Sequence, residues 1–259
     1  ARDRFVDFYE TWYRPELMAV VIVGDIDAGV TEQKVVEAFK PLAARGAARA
    51  QPELGRVPEF SGVRTFYHHE AEAPNANVTI ATVTPYAKER DSAAVRLKYL
   101  PRSIALAIIN RRLSILAKQE NAPFVSGRAG AWEAHSFYRQ SAISLTCRAE
   151  QWSAALGVAD QELRRALEYG FQPAELAEVV ANYRNSLEQA VKTASTRRSD
   201  GMADEIAESL LEREVWTSPE DDLALLEPAL AKMTVEQCAA ALQAAWSPAH
   251  RLVMVTGNA

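Results

Sequence analysis

The strongest constraint on the fold of this sequence is the order in which two hydrophobic periods follow one another. Residues 63–70 and 77–84 alternate apolar and polar side chains at period two, the pattern of half-buried strands. Over residues 91–119 the apolar positions Leu97, Leu100, Ile104, Ile108, Leu113 and Leu116 hold helical spacing. A long helix is therefore predicted, with Pro101 as a kink or restart. Period two returns over 124–134 and 137–147, separated near His135 and Ser136. Strands in adjacent pairs, with a helix between the pairs, exclude strict βα alternation. They predict an α+β fold, a two-layer arrangement with helices packed on one face of a sheet.

The first pair is expected to be a hairpin joined near Pro74 and Asn75. Residues 151–246 are helical in pattern, with stops or caps at 170–173, near Ser195, at Ser218-Pro219 and at Thr234. A strand over 252–256 closes the chain, for roughly six strands in all. At the other end Phe5, Phe8, Tyr9 and Trp12 face one side of a helix that Arg14 and Pro15 terminate. Residues 18–23 read as a buried strand ended by Gly24 and Asp25. The next helix takes Thr31 as its cap and Val35, Val36 and Phe39 as its apolar stripe, before Pro41 stops it. Residues 43–58 lack periodicity and are the linker at which a domain boundary is placed. A helix already under way at residue 2, behind Ala1 rather than Met, reads as a piece of something longer.

With 48% hydrophobic and 24% charged residues the chain can bury a large core, which excludes a disordered segment. A net charge of -5 argues against nucleic acid as a partner. The longest apolar run, residues 18–23, falls far short of the roughly 20 residues of a membrane span. Cys147 and Cys238 lie outside any CxxC pair, so they are either free and buried or joined in one disulfide.

No catalytic constellation emerges from the residues themselves. A hydrolytic zinc site wants two histidines one helical turn apart and a third ligand. The one cluster, His68-His69-Glu70-Ala71-Glu72, falls on a predicted strand, with His68 and Glu70 on one face and His69 on the other. A polar strand end is the simpler account. His135 and His250 are expected at turns, as ordinary surface or edge residues. Val125-Ser126-Gly127 lacks the leading glycine of a nucleophile elbow. Phosphate loops are missing, and Gly127 and Gly130 read as small residues in a strand. The pairs Arg111-Arg112, Arg164-Arg165 and Arg197-Arg198 are expected on solvated helix faces.

One string is specific. Phe8-x-x-x-Trp12-Tyr13-x-Pro15-x-x-Met18-x-Val20-x-Ile22-x-Gly24-Asp25-x-Asp27 closely resembles a passage of the M16 (pitrilysin/insulinase) zinc metallopeptidases. The order of elements after it resembles that family's second, inactive-type domain, with residues 109–113 on its long helix. The resemblance implies that residues 1–45 are the end of an upstream zinc domain, followed by a linker to about 58. Residues 59–259 would then be a non-catalytic domain that helps to enclose a peptide chamber. It implies zinc in the parent's upstream domain and none here, because the His-x-x-Glu-His motif is absent; no metal or catalytic residue is carried over. The implied partners are a peptide substrate, the upstream zinc domain, and further M16 domains or a partner subunit. The implied compartment is the periplasm. An Arg and a Tyr that contact substrate in many active pairs would fall at about Lys118 and at Phe124 or Val125, which differ in kind. Arg128, Trp132 and Tyr138 either line the chamber or form an ordinary alternating strand. The alternative function is a catalytically inactive M16-like scaffold or peptide-binding subunit.

Overall fold

The structure, a computed structural model, describes residues 2–44, 46–134 and 137–259. The chain divides into two compact units, one running up to Leu54 and including Thr193–Thr217, the other Gly55–Lys192 with Ser218–Ala259.

The first unit holds α1 (Arg2–Trp12), α2 (Ala28–Phe39) and, from the later part of the chain, α6 (Ser199–Glu212). Arg14 ends the opening helix in a defined way. It is 7% exposed, its Nη1 donates to the Gly46 carbonyl at 2.6 Å and its Nε to Glu16 at 2.6 Å. Two expectations fail here. Residues 18–23 form no strand, and Met18, Val20 and Ile22 stay about half exposed. A strand needs a neighbour to take its N–H and C=O groups, and no described residues pair with this run. The cap of α2 is Asp27 rather than Thr31, its carboxylate accepting from the Val30 N–H at 2.8 Å.

The second unit is built on a five-stranded sheet in the order β1-β5-β2-β4-β3. Its strands are β1 (Gly62–His69), β2 (Ala76–Pro85), β3 (Ser126–Ala134), β4 (Tyr138–Cys147) and β5 (His250–Gly257). The pair β3/β4 is antiparallel as expected, with Ala129 opposite Ile143. The predicted β1/β2 hairpin does not form, because β5 inserts between its two strands. β1 runs parallel to β5, with Phe66 opposite Met254, and β2 runs antiparallel to it, with Val78 opposite Val255. The apolar run Leu252-Val253-Met254-Val255 suits an interior strand better than the fully exposed β1 does. The connection from β1 passes the end of β5, where the Glu70 N–H donates to the Gly257 carbonyl at 2.7 Å. Gly257 has φ 105° and lies so close to the Asn75 carbonyl that a Cβ would sit 2.2 Å from its oxygen, so only glycine fits.

Helices α3 (Ala93–Leu116), α4 (Trp152–Tyr169) and α8 (Val235–Ala245) supply one wall of the core. Ile104, Ile108, Leu113, Leu163, Cys238 and Leu242 pack with Val78, Ile80, Ile143 and Leu145, all nearly or fully buried. Each large aliphatic side chain removed from water contributes about 1.5–3 kcal/mol. α3 runs unbroken through Pro101, with Ser92 capping its start by accepting from Val95 N–H at 3.3 Å. α5 (Pro173–Thr193) and α7 (Pro219–Leu230) complete the set, and Ser218 and Thr234 form capping boxes at α7 and α8 as their positions predict.

Candidate functional site

The histidines do not gather. His68 and His69 end the exposed strand β1, and His69 Nδ1 lies 3.0 Å from the Ala259 carbonyl, which also accepts from the Tyr67 hydroxyl. Among the described residues no three His, Cys, Asp or Glu side chains come together as ligands, so the residues present do not fit a zinc site. His135 lies outside the described residues. His250 is not the surface histidine expected: it is 8% exposed, and its ring packs 4.4 Å from that of Phe60. Its Nε2 lies 3.1 Å from Val83 N and 3.1 Å from Thr82 Oγ1. A main-chain N–H can only donate, so Nε2 accepts and the neutral ring carries its proton on Nδ1. Both cysteines are free and buried, and burial pushes the Cys238 thiol up to about 11 and the Cys147 thiol in the same direction.

The arginine pairs divide. Arg111, Arg164 and Arg198 are exposed and paired with Glu178, Asp160 and Asp200. Arg112 departs from its expected solvated face: its side chain is 8% exposed, it meets Glu175 through two bonds, and its Nη2 donates to the Gly170 carbonyl at 3.1 Å. Helical spacing explains the inward turn, since Arg112 shares a face with the buried Ile108 and Ile109.

At the β3 edge of the sheet, Gly127 lies under Leu145 and Leu113, and Asn110 of α3 reaches the main chain. Asn110 Oδ1 accepts from Ala129 N–H at 2.7 Å, and Nδ2 donates to Ala129 O at 3.0 Å. One amide side chain thus occupies both groups that an added strand would pair with at this residue. Asn110 within an apolar helical stripe was the available signal, and spacing alone did not reveal its target. Of the positions near the end of α3, Lys118 is exposed, Phe124 is buried in the core and Val125 is 63% exposed. Arg128 and Trp132 are exposed on β3, and Tyr138 is half-buried on β4.

A second arrangement was not foreseen. Tyr86, Glu89, Lys98, Tyr99, Arg102, Glu133 and Arg139 meet where β2, the β3/β4 pair and the first half of α3 converge. Arg139 Nη2 donates to Glu133 at 2.6 Å and to the Tyr99 hydroxyl at 2.9 Å. The Tyr99 hydroxyl donates to Glu89, which also holds Lys98 Nζ at 2.9 Å. The Tyr99 hydroxyl and then Lys98 hold the Glu89 carboxyl below its ordinary value. Burial alone would lower Arg139, but its bonds to Tyr99 and Glu133 outweigh it and raise the group. The guanidinium of Arg139 lies 4.1 Å from the Tyr86 ring centroid and 4.6 Å from that of Tyr99. Glu133 and Arg139 face each other across β3 and β4, a cross-strand relation readable only once the register is known.

Residues 1–113 match the family model described as Peptidase M16 inactive domain. Protein YhjJ of Salmonella typhimurium is 24% identical over 237 residues, which are 88% of this chain and 45% of that protein. The chain therefore spans less than half the length of that relative. The first half of the periplasmic protease PqqL from Escherichia coli superposes with a TM-score of 0.79 at 21% identity, covering 99% of this chain and 55% of that one. A predicted insulinase family protease from Yersinia pestis gives a TM-score of 0.78 at 18% identity, covering 98% and 54%. At these identities the structural likeness establishes the fold. Among the described residues no helix is long and apolar enough to cross a membrane.

Proposed function

We propose, on the premise that this chain belongs to the M16 peptidase family through an inactive-type domain, that it serves as the non-catalytic second domain of a zinc-dependent metalloendopeptidase. The observation that carries the proposal is the inactive-domain match, which runs from the aromatic helix through the long helix to Leu113. The chain would wall a substrate chamber while the zinc and its ligands reside in an upstream domain of the parent. Peptide would be held through shape and main-chain contacts at the sheet edges, as in other strand-adding domains. The partners on this proposal are the peptide substrate, the upstream zinc domain, and further M16 domains or a partner subunit. The description of PqqL as a periplasmic protease supports the periplasm as the compartment.

The experiment is peptide cleavage by the full-length parent with and without residues 59–259. Loss of turnover on deletion supports the proposal, and unchanged turnover removes it. One feature favours a second reading, a catalytically inactive scaffold or peptide-binding subunit: by the family resemblance, an Arg and a Tyr that serve active pairs would fall at about Lys118 and at Phe124 or Val125, which differ in kind. A full-length parent that binds peptide without cutting it would select that reading.

A further inference from the structure

Arg102 differs from its neighbours in having no acceptor among the described residues. Among the cations of the cluster on α3 and β4, Arg139 is held by Glu133 and Lys98 by Glu89. The guanidinium of Arg102 meets the face of the Tyr99 ring, 4.5 Å from its centroid, and neither hydrogen-bonds nor ion-pairs with any described residue. Its side chain is only partly exposed, so water offsets its charge incompletely. Burial, and then the positive charge of Arg139, lower its affinity for a proton. A half-buried guanidinium fork stacked on an aromatic ring, with no acceptor among the described residues, is a site built for an anion.

The surrounding charges select the kind of anion. Three cations, Lys98, Arg102 and Arg139, stand against two carboxylates, Glu89 and Glu133, leaving one positive charge. A single carboxylate neutralises that excess, whereas a phosphate dianion would face the two glutamates with charge left over. We propose that Arg102, stacked on Tyr99 beside Arg139, is a subsite for one carboxylate of a bound peptide, either its C-terminus or an acidic side chain. The inference rests on the peptide-chamber function proposed above and gives that function a preference for acidic peptides. Tyr99 orients the fork, and Arg139 is kept from collapsing onto the incoming carboxylate by its own bond to Glu133.

Calorimetric titration of the full chain tests this with four probes of otherwise identical sequence or simple chemistry. They are a neutral acetylated peptide amide, the same peptide with a free C-terminal carboxylate, the amide with one central glutamate, and inorganic phosphate. We expect one of the two acidic peptides to bind about tenfold or more tightly than the neutral amide, the gain of one charge-assisted bidentate contact. Which of the two it is identifies the source of the carboxylate. Arg102→Gln should abolish that difference and leave the neutral peptide unchanged, and Arg102→Lys should restore only part of it. Equal affinity of wild type for acidic and neutral peptides overturns the Arg102 subsite and leaves the chamber proposal standing. Binding of no peptide at all overturns both, and tighter binding of phosphate than of either acid overturns the choice of ligand. The wild-type comparison needs no variant, so it decides the matter even if Arg102→Gln fails to fold.

Discussion

Arg112 and Glu175 tie the long helix to the start of α5 through two parallel bonds, Nε to Oε1 at 2.6 Å and Nη2 to Oε2 at 2.7 Å. The same carboxylate also accepts from the Gln172 N–H at 2.8 Å, so it closes the turn before α5 as well as the ion pair. Removing it strands a guanidinium that is 8% exposed. Glu175→Ala should cost about 3 kcal/mol, measured by urea denaturation, because the residual buried charge loses its partner. The Arg112 bond holds the Glu175 carboxyl below its ordinary value of 4.5. With the folded value below the unfolded one, the contribution is complete above pH 4.5 and is lost as pH falls through the depressed folded value. Wild type should therefore lose stability more steeply than Glu175→Ala in that acid range.

Gly127→Ala should destabilise by about 1–3 kcal/mol. The added Cβ would lie 2.3 Å from Leu145 Cδ2 and 3.3 Å from Leu113 Cδ1, so the core under β3 must shift. Gly157→Ala, where nothing lies within 4 Å of the new atom, is the control and should be neutral or slightly stabilising on α4. Thermal melts of the two variants decide between them.

His250→Ala should cost about 1–3 kcal/mol, since it leaves the Val83 N–H and the Thr82 hydroxyl without their shared acceptor. Amide exchange at Val83 should accelerate in the variant more than exchange at Ile80, which lies in the middle of the same strand. Equal acceleration at both sites would mean that His250 acts through general stability alone.

Neither thiol should react with a maleimide in the folded protein at pH 8, since Cys147 and Cys238 are buried and burial keeps both protonated. Both should label fully in urea. Mass spectrometry reads the two counts directly, and labelling of Cys238 without denaturant would show that α8 opens far more readily than its buried face suggests.

Asn110→Ala should release the Ala129 amide, detected as faster hydrogen exchange at that residue, at a stability cost of about 1–2 kcal/mol. If the β3 edge takes up peptide as an added strand, the same variant should bind neutral peptide more tightly, because its central pairing position is no longer occupied.

Much of the fold was legible because its signals are local. Ser218 followed by Pro219 and Asp221, and Thr234 followed by Gln237, mark helix starts within four residues, and both capping boxes are present. The β3/β4 pair was legible because two alternating stretches follow one another closely in the sequence. The place of β5 was not, because its pairing with β1 joins residues such as Thr65 and Val253 and leaves no trace in either neighbourhood. Residues 18–23 carry the composition of a strand without a partner among the described residues, so pattern outran pairing. The cluster around Tyr99 was missed for a related reason. Its members come from the segment between β2 and α3 and from α3, β3 and β4, each an unremarkable polar residue until the sheet brings them to one end.

The insertion of β5 between β1 and β2 has a consequence for how the chain is made. β5 lies far down the chain from β1 yet occupies an interior position of the sheet beside it, so β1 can find no neighbour until β5 has been made. Until then β2, β3 and β4 can assemble with α3 and α4 while β1 waits as an unpaired aromatic segment containing Phe66 and Tyr67. A nascent chain interrupted before His250 would leave β2 as an open edge and β1 unpaired, the kind of exposed strand that chaperones and proteases recognise.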